Sequence, residues 1–335
     1  MFRWALNRYL WLGRLIPGKT LDPALPWKVT QDYLNALPPS PSSISTLTLM
    51  RPTMEPLRAL KSNRQTQVMA ILNLTPDSFS DGGKYSKDSL NTTFSPKIKG
   101  ASIIDFGGQS SAPYAKDVSA EEEISRIVPA IEQMRRDSAY DSKAISVDTY
   151  RASVAEAAAK AGADIINDIS AGQLDPEMLP TMARLGKTVC LMHMRGTPAT
   201  MNKLTNYSPL GLIPTIANEL LERISAAEAA GIRRWRIILD PGIGFAKTTA
   251  QNLEILRNLE ELRDWPGLGG FPWLVGSSRK NFVGKITGVR EPHERTWGTA
   301  ATVAAAIQGG ADIVRVHDVE EMAQVAKMSD AIWRP

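Results

Sequence analysis

Eight short apolar runs punctuate the chain, and each ends on a polar or charged residue. They reach Asn73 (VMAILN), Asp105 (SIID), Asp148 (AISVD), Asn167 (DIIN), His193 (TVCLMH), Asp240 (RIILD), Ser278 (PWLVGSS) and His317 (DIVRVH). Most are followed by a segment with helical spacing. A continuous apolar run of strand length, bounded by turn residues, reads as a strand buried on both faces. Such strands alternating with helices predict an α/β chain, and eight of them predict a TIM (β/α)8 barrel, whose chemistry gathers at the carboxyl ends of the strands. The strand ends are therefore the first candidate site. Three runs share a near-repeat: Gly100-Ala-Ser-Ile-Ile-Asp105, Gly162-Ala-Asp-Ile-Ile-Asn167 and Gly310-Ala-Asp-Ile-Val-Arg315.

The segments between the runs carry helix signals. Ser119-Ala-Glu-Glu122 is a capping pattern that opens a helix to Arg136. Arg151–Ala161 is alanine-rich and stops at Gly162, and Asn218–Ala230 stops at Gly231. Asn252–Arg263 is amphipathic, Glu294–Gln308 ends at Gly309-Gly310, and Val319–Ile332 closes the chain. The segment between Gly83 and Gly100 is poor helix material, and Pro96 is expected to break it, leaving an irregular or short helix.

Ahead of the barrel the pattern changes. Residues 1–57 read as an N-terminal extension and linker, and residues 58–335 as the barrel domain. Residues 1–21 carry Arg3, Arg8, Arg14 and Lys19 without an acid, which fits an organelle transit segment or the remnant of an upstream module. Residues 38–56 are rich in proline and serine, so no packed core is expected there.

Bulk numbers narrow the class. A 335-residue chain with 43% hydrophobic and 22% charged residues has a globular composition. Its net charge of +4 is small and forms no dense Lys/Arg cluster, so no nucleic-acid partner is expected. The single Cys190 lies within a strand run and forms no internal disulfide, which predicts a reducing compartment. No apolar run of membrane-spanning length occurs, so no membrane span is expected.

The strand ends sort by charge. Arg279 and Lys280 follow the seventh run, and Arg315 and His317 close the eighth, where barrels of this kind hold phosphate. That group suits a phosphate or diphosphate; rim acids Asp312, Asp318 and Glu320 are the competing partners. Asp105, Asp148, Asn167 and Asp240 end four other runs. Buried carboxylates need partners, and a ligand edge with several N–H donors, such as an aminopyrimidinone, would supply them. A salt-bridge network with Lys280 and Arg315 would serve equally, and a metal cluster is a third option. The loops after the first two runs, Asn73–Gly83 and Gly107–Pro113, have the composition of functional lids. No nucleophile elbow, P-loop or HExxH occurs, and Gly242-Ile-Gly244-Phe-Ala-Lys247 is an incomplete dinucleotide loop.

Taken together, ILNLTPDSFSDGG (71–83), IIDFGGQS (103–110), SVDT (146–149), IINDIS (165–170), LMHMRGTP (191–198), LDPGIGF (239–245), SSRK (277–280) and RVHDV (315–319) resemble the dihydropteroate synthases in order and spacing. The resemblance covers roughly Gln67–Ile332. It implies condensation of dihydropterin-methyl diphosphate with 4-aminobenzoate, through loss of diphosphate ahead of amine attack. It implies that Asp148, Asn167 and Asp240 contact the pterin ring, Phe245 lines its pocket, and Ser111 and Ser278 contact substrate. Lys280 would bridge the two substrate sites, Arg315 and His317 would anchor the diphosphate, and Asn73 would be the single protein ligand to Mg²⁺. The chain departs from the family pattern at Ser111-Ala112, where threonine and arginine are usual; serine keeps a hydroxyl, while alanine removes a cation. A pterin-dependent methyltransferase and an inactive pterin-binding module are the alternatives. A homodimer face on Thr299–Ile307 and the last helix, and a cytoplasmic or mitochondrial location, complete the expectations.

Overall fold

The structure, a computed structural model, describes residues 47–48, 50–51, 54–59, 62–74, 95–109 and 117–335. The basic segment at residues 1–21, most of the proline-rich stretch, the loop at 75–94 and Ser111-Ala112 lie outside the described residues.

Eight parallel strands form the centre: β1 (Gln67–Asn73), β2 (Ile103–Gly107), β3 (Ala144–Asp148), β4 (Ile165–Asp168), β5 (Thr188–Met192), β6 (Ile237–Asp240), β7 (Leu274–Val275) and β8 (Ile313–Val316). Their order is β6-β5-β4-β3-β2-β1-β8-β7. A bridge from Leu239 to Trp273 joins the two ends and closes the barrel. The unbroken apolar runs are explained by two-sided burial. Ala70, Ile104, Ile145, Ile166 and Val314 pack outward against the helices. Met69, Ile103, Ala144, Ile165, Cys190, Ile238, Leu274 and Ile313 form a separate inner cluster. The expected TIM barrel is the observed fold.

The near-repeat is a turn used three times. Gly100, Gly162 and Gly310 take φ of 93°, 117° and 101°, a left-handed conformation open to glycine. At the second and third copies the next N–H reaches back over the helix end, from Ala163 to Ala158 and from Ala311 to Ala306, 2.9 Å each. The aspartate that follows then takes a donor from the preceding strand: Asp164 accepts from Ile145 N–H and Asp312 from Trp273 N–H, 2.9 Å each. Arg135 and Arg64 complete these carboxylates. This end is the barrel floor.

The described helices are α1 (Ser95–Ile98), α2 (Ala120–Arg136), α3 (Ala152–Ala161), α4 (Met178–Leu185), α5 (Leu212–Ala229), α6 (Thr249–Arg257), α7 (Leu259–Arg263), α8 (Asn281–Thr287), α9 (Thr296–Gln308) and α10 (Val319–Trp333). The sequence pattern places α2, α3, α9 and α10 within a residue or two. It starts α5 six residues late, at Asn218 instead of Leu212, because Pro214 sits in the first turn, where proline costs nothing. It fuses α6 and α7, which part at Asn258, and gives no sign of α4 or α8. α1 is the short helix expected of its segment, four residues long, and Pro96 stands in its first turn, where proline is tolerated, instead of ending it. None of the described helices is long and apolar enough to cross a membrane.

One expectation is overturned at the floor. The proline-rich stretch contributes to a short antiparallel hairpin, Leu47–Thr48 with Leu57–Arg58. Met50, 1% exposed, and Leu57, 5% exposed, join the inner cluster beneath the strands. The apolar residues of this stretch are what the open end of a barrel needs to exclude water.

Candidate active site

The strands place their polar residues by register. Asn73 pairs with Gly107, Gly107 with Asp148, and Asp148 with Asn167, so these four lie in one line across β1–β4. Asp105 does not end its strand as expected. β2 continues through Phe106 to Gly107, which leaves Asp105 one pleat deeper and fully buried. Arg315 on β8 reaches it: Nε donates to Asp105 Oδ2 and Nη2 to Asp148 Oδ2, each at 2.6 Å. Asn167 Nδ2 donates to the same Asp105 oxygen at 3.1 Å. The sixth residues of the three near-repeat copies thus meet at the barrel centre. Of the three readings of these carboxylates, the salt-bridge network with Arg315 is present. It is incomplete, because Asp105 Oδ1 is buried without a hydrogen-bond partner among the described residues, a costly state unless a ligand supplies a donor.

The electrostatics match the burial. Loss of water pushes the Asp148 carboxyl above its ordinary range; Arg315 opposes the shift and Asp105 adds to it. Burial likewise raises Asp240, against the nearby Lys280 and the Gly242 N–H, which donates to Asp240 Oδ1 at 2.7 Å. Burial lowers Lys280 to about 8. Its ammonium donates to the Ile243 carbonyl and lies 4.8 Å from the centre of the Phe245 ring, within cation–π range. Phe245 belongs to an apolar shelf with Ile169, Met192, Met194 and Met201. Carboxylates, a lysine and a flat apolar surface therefore converge, as a polar planar ring requires.

The seventh and eighth strand ends form a second corner. Ser278 Oγ lies 3.0 Å from His317 Nδ1 and accepts the His317 N–H at 3.2 Å. Burial, helped by Arg279 and Arg315, lowers His317 to about 4, so it is neutral at pH 7 and acts by hydrogen bonding. Arg279 is drawn off by Asp318, with Nε to Oδ2 at 3.2 Å. The competing rim acid thus takes one of the expected anion-binding cations. Asn73 is exposed at the mouth. Among the described residues no group of three or more His, Cys, Asp or Glu could hold a metal. Ser111 lies outside the described residues.

Two polar groups went unread in the sequence. Arg151 bonds Gln109 and Glu123 at 2.6 Å and Asp117 at 2.7 Å, tying the start of α3 to the loop after β2. His193, left without a role, lies between Glu219 (2.8 Å) and Lys247 (3.0 Å). No local spacing announces either group; the one signal is a charged residue inside an otherwise apolar or glycine-rich segment.

Fold and site together define a (β/α)8 enzyme class with an acceptor-lined ring pocket beside a cationic corner. A family profile described as pterin binding enzyme matches residues 69–317. The folic acid synthesis protein fol1 of Pneumocystis carinii is 52% identical over 80% of this chain and 36% of its own length. The dihydropteroate synthase of Synechocystis sp. is 48% identical over 81% of this chain and 91% of its own. A mitochondrial folate synthesis bifunctional protein of Arabidopsis thaliana is 45% identical over 81% of this chain and 50% of its own. The Clostridium difficile dihydropteroate synthase, solved in the presence of pteroic acid, superposes with a TM-score of 0.72 at 39% identity, covering 82% of this chain and 98% of that one. The chain belongs to the pterin-binding enzymes and, within them, to the dihydropteroate synthase family. It spans about a third of the fungal relative, half of the plant one and nearly all of the bacterial one.

Proposed function

We propose that this barrel condenses (7,8-dihydropterin-6-yl)methyl diphosphate with 4-aminobenzoate to give 7,8-dihydropteroate and diphosphate. The observation that carries this reading is Arg315, shared between Asp105 and Asp148 beside an Asp105 oxygen that has no donor. One residue thereby links a ring-accepting wall to the cationic corner. In this reading Asp148, Asn167 and Asp240 accept the pterin N–H groups, and Phe245 supports the ring. The C–O bond to diphosphate breaks with its electron pair leaving on oxygen. Arg315, Lys280 and a neutral His317 take up that charge, while the buried carboxylates stabilise the cationic ring. The aromatic amine then forms the C–N bond and loses its proton to water. Ser278 and Ser111 are the proposed hydroxyl contacts.

Mg²⁺ is the proposed cofactor, with Asn73 as its protein ligand. The donor set fits: one neutral amide oxygen at a strand end, and no acidic cage among the described residues. Mg²⁺ keeps its waters and prefers phosphate oxygens. When bound it would neutralise charge on the leaving diphosphate.

The test is diphosphate release by the purified chain given both substrates and Mg²⁺. Release that requires 4-aminobenzoate, and that stops on chelation while pterin still binds, supports the reading. Tight pterin binding with no release under any condition would sink it in favour of a pterin-binding module. A homodimer is the proposed assembly. Ile286, 62% exposed, lines an apolar groove of about 540 Å³ between α6, α8 and α9, and Trp297 on α9 is 86% exposed; sedimentation would report the state. The compartment is proposed as cytoplasm or mitochondrion, the second supported by the Arabidopsis relative.

A further inference from the structure

Two lysines hold the loop between β6 and α6. Lys280 donates to the Ile243 carbonyl, and Lys247 to the Phe245 carbonyl at 2.9 Å. Between them the Gly244 N–H donates to Asn252 Oδ1 at 2.7 Å, and beyond them Tyr207 Oη donates to the Ala246 carbonyl at 3.1 Å. Every second residue here is left-handed: Gly242, Gly244 and Ala246 have φ of 70°, 83° and 51°. Ala246 pays a steric penalty that only its surroundings can hold. A Cβ on Gly242 would collide with the His193 carbonyl oxygen, so the loop rests directly on the end of β5.

Lys247 is itself fixed from behind. It is 8% exposed, and its ammonium meets His193 Nδ1 at 3.0 Å. On the other side of the ring the Glu219 carboxylate, held at about 2 against its burial by His193 and Arg195, can only accept, so the imidazole carries its proton on Nε2 and Nδ1 is the acceptor for the Lys247 ammonium. Nε2–H then donates to Glu219 Oε2 at 2.8 Å. Arg195 completes the chain, with Nε to Glu219 Oε1 at 3.0 Å and its guanidinium 4.1 Å over the Tyr207 ring. Burial and the adjacent Lys247 hold His193 at about 4, which keeps the acceptor nitrogen free at neutral pH. The relay runs Glu219, His193, Lys247, Phe245 carbonyl, and it ends on the backbone of the residue whose ring faces Lys280.

We propose that Glu219, His193 and Lys247 are positioning residues that set the placement of the Phe245 ring against Lys280, and so set affinity for the bicyclic pterin. They act through the loop backbone and touch neither reacting carbon nor diphosphate. The proposal deepens the synthase reading and rests on it for the identity of the ring. It adds a specific role: the relay acts on ring affinity through the Phe245 backbone.

A double-mutant cycle tests it. Lys247→Met keeps length and volume but loses the charge and its donors; Phe245→Leu removes the ring. Binding of the dihydropterin-methyl diphosphate is followed by calorimetry, and folding by the melting temperature. Each single variant should weaken pterin binding by about tenfold or more, at a melting temperature close to wild type. If Lys247 acts through Phe245, the double variant should be at most about threefold worse than the weaker single. Multiplying losses, or normal pterin affinity in Lys247→Met, would overturn the proposal. Should Lys247→Met fail to fold by circular dichroism, Glu219→Gln replaces it: a loss of pterin affinity at a wild-type melting temperature supports the relay, and unchanged affinity overturns it. Wild-type protein that binds pterin but releases no diphosphate would count against the synthase reading alone, since the binding cycle is scored without turnover.

Discussion

The two ends of this barrel use the same residues to opposite purposes. In the near-repeat, the third residue faces the floor and the sixth lies toward the mouth. At the floor, Asp312 is saturated: Oδ1 takes Arg64 Nε at 2.6 Å and Oδ2 takes Trp273 N–H at 2.9 Å. Toward the mouth, Asp105 shares one oxygen between Arg315 and Asn167 and leaves the other unmet. A buried carboxylate with all its partners supplied by the protein serves the fold. One left short marks where a ligand must finish the set. Chain position alone does not separate them, since Asp164, just before β4, and Asn167, within it, are three residues apart.

The largest effect that tests this contrast falls on Arg315. Arg315→Ala would strand two carboxylates and cost about 3–5 kcal/mol of stability, so loss of activity there would be ambiguous. Arg315→Lys keeps a charge but cannot serve Asp105 and Asp148 with a rigid fork. Diphosphate release should fall roughly a hundredfold or more, with a melting temperature close to wild type. Near-normal turnover in Arg315→Lys would remove the leaving-group role and make the mouth a structural network like the floor.

The floor should answer in the other currency. Asp312→Ala removes acceptors from Arg64 and from the Trp273 N–H. The loss should be about 2–3 kcal/mol, the lower range because Arg64 is partly exposed, or roughly 5 °C in melting temperature. The kcat/KM of the folded variant should stay within about twofold. A large drop in kcat/KM without a drop in stability would show that the two ends are not separable.

How much of this contrast the sequence carries follows from residue spacing. Asp148 and Asp240 end apolar runs on their own strands, so strand period alone delivers them to the mouth. Asp105 is misread for the same reason: an acid interrupting SIID-Phe-Gly looks like a terminus, whereas the next two residues stay in the sheet with Asp148 beside Gly107. The hairpin at Met50 and Leu57 is hidden under proline and serine. The relay behind Phe245 joins residues 26 and 54 positions apart, contacts that only the closed barrel creates. The fall of Arg279 to Asp318 depends on a left-handed residue, φ 60°, that no composition rule predicts for arginine.

The smallest effect is a pH limb, and it separates the two lysines of the mouth. Burial lowers Lys280 to about 8 and Lys247 to about 7. A depressed lysine is an ammonium below its pKa and loses its charge as pH rises through it. If Lys280 supplies charge to the departing diphosphate, kcat/KM should fall by a few-fold as pH passes about 8. Lys280→Arg holds its charge throughout that range and should flatten the limb, at a lower rate overall. A limb that survives in Lys280→Arg and lies nearer pH 7 would assign the titration to Lys247. The effect would then enter through the Phe245 loop and not through the cationic corner, and it should appear in pterin affinity rather than in the rate of diphosphate release.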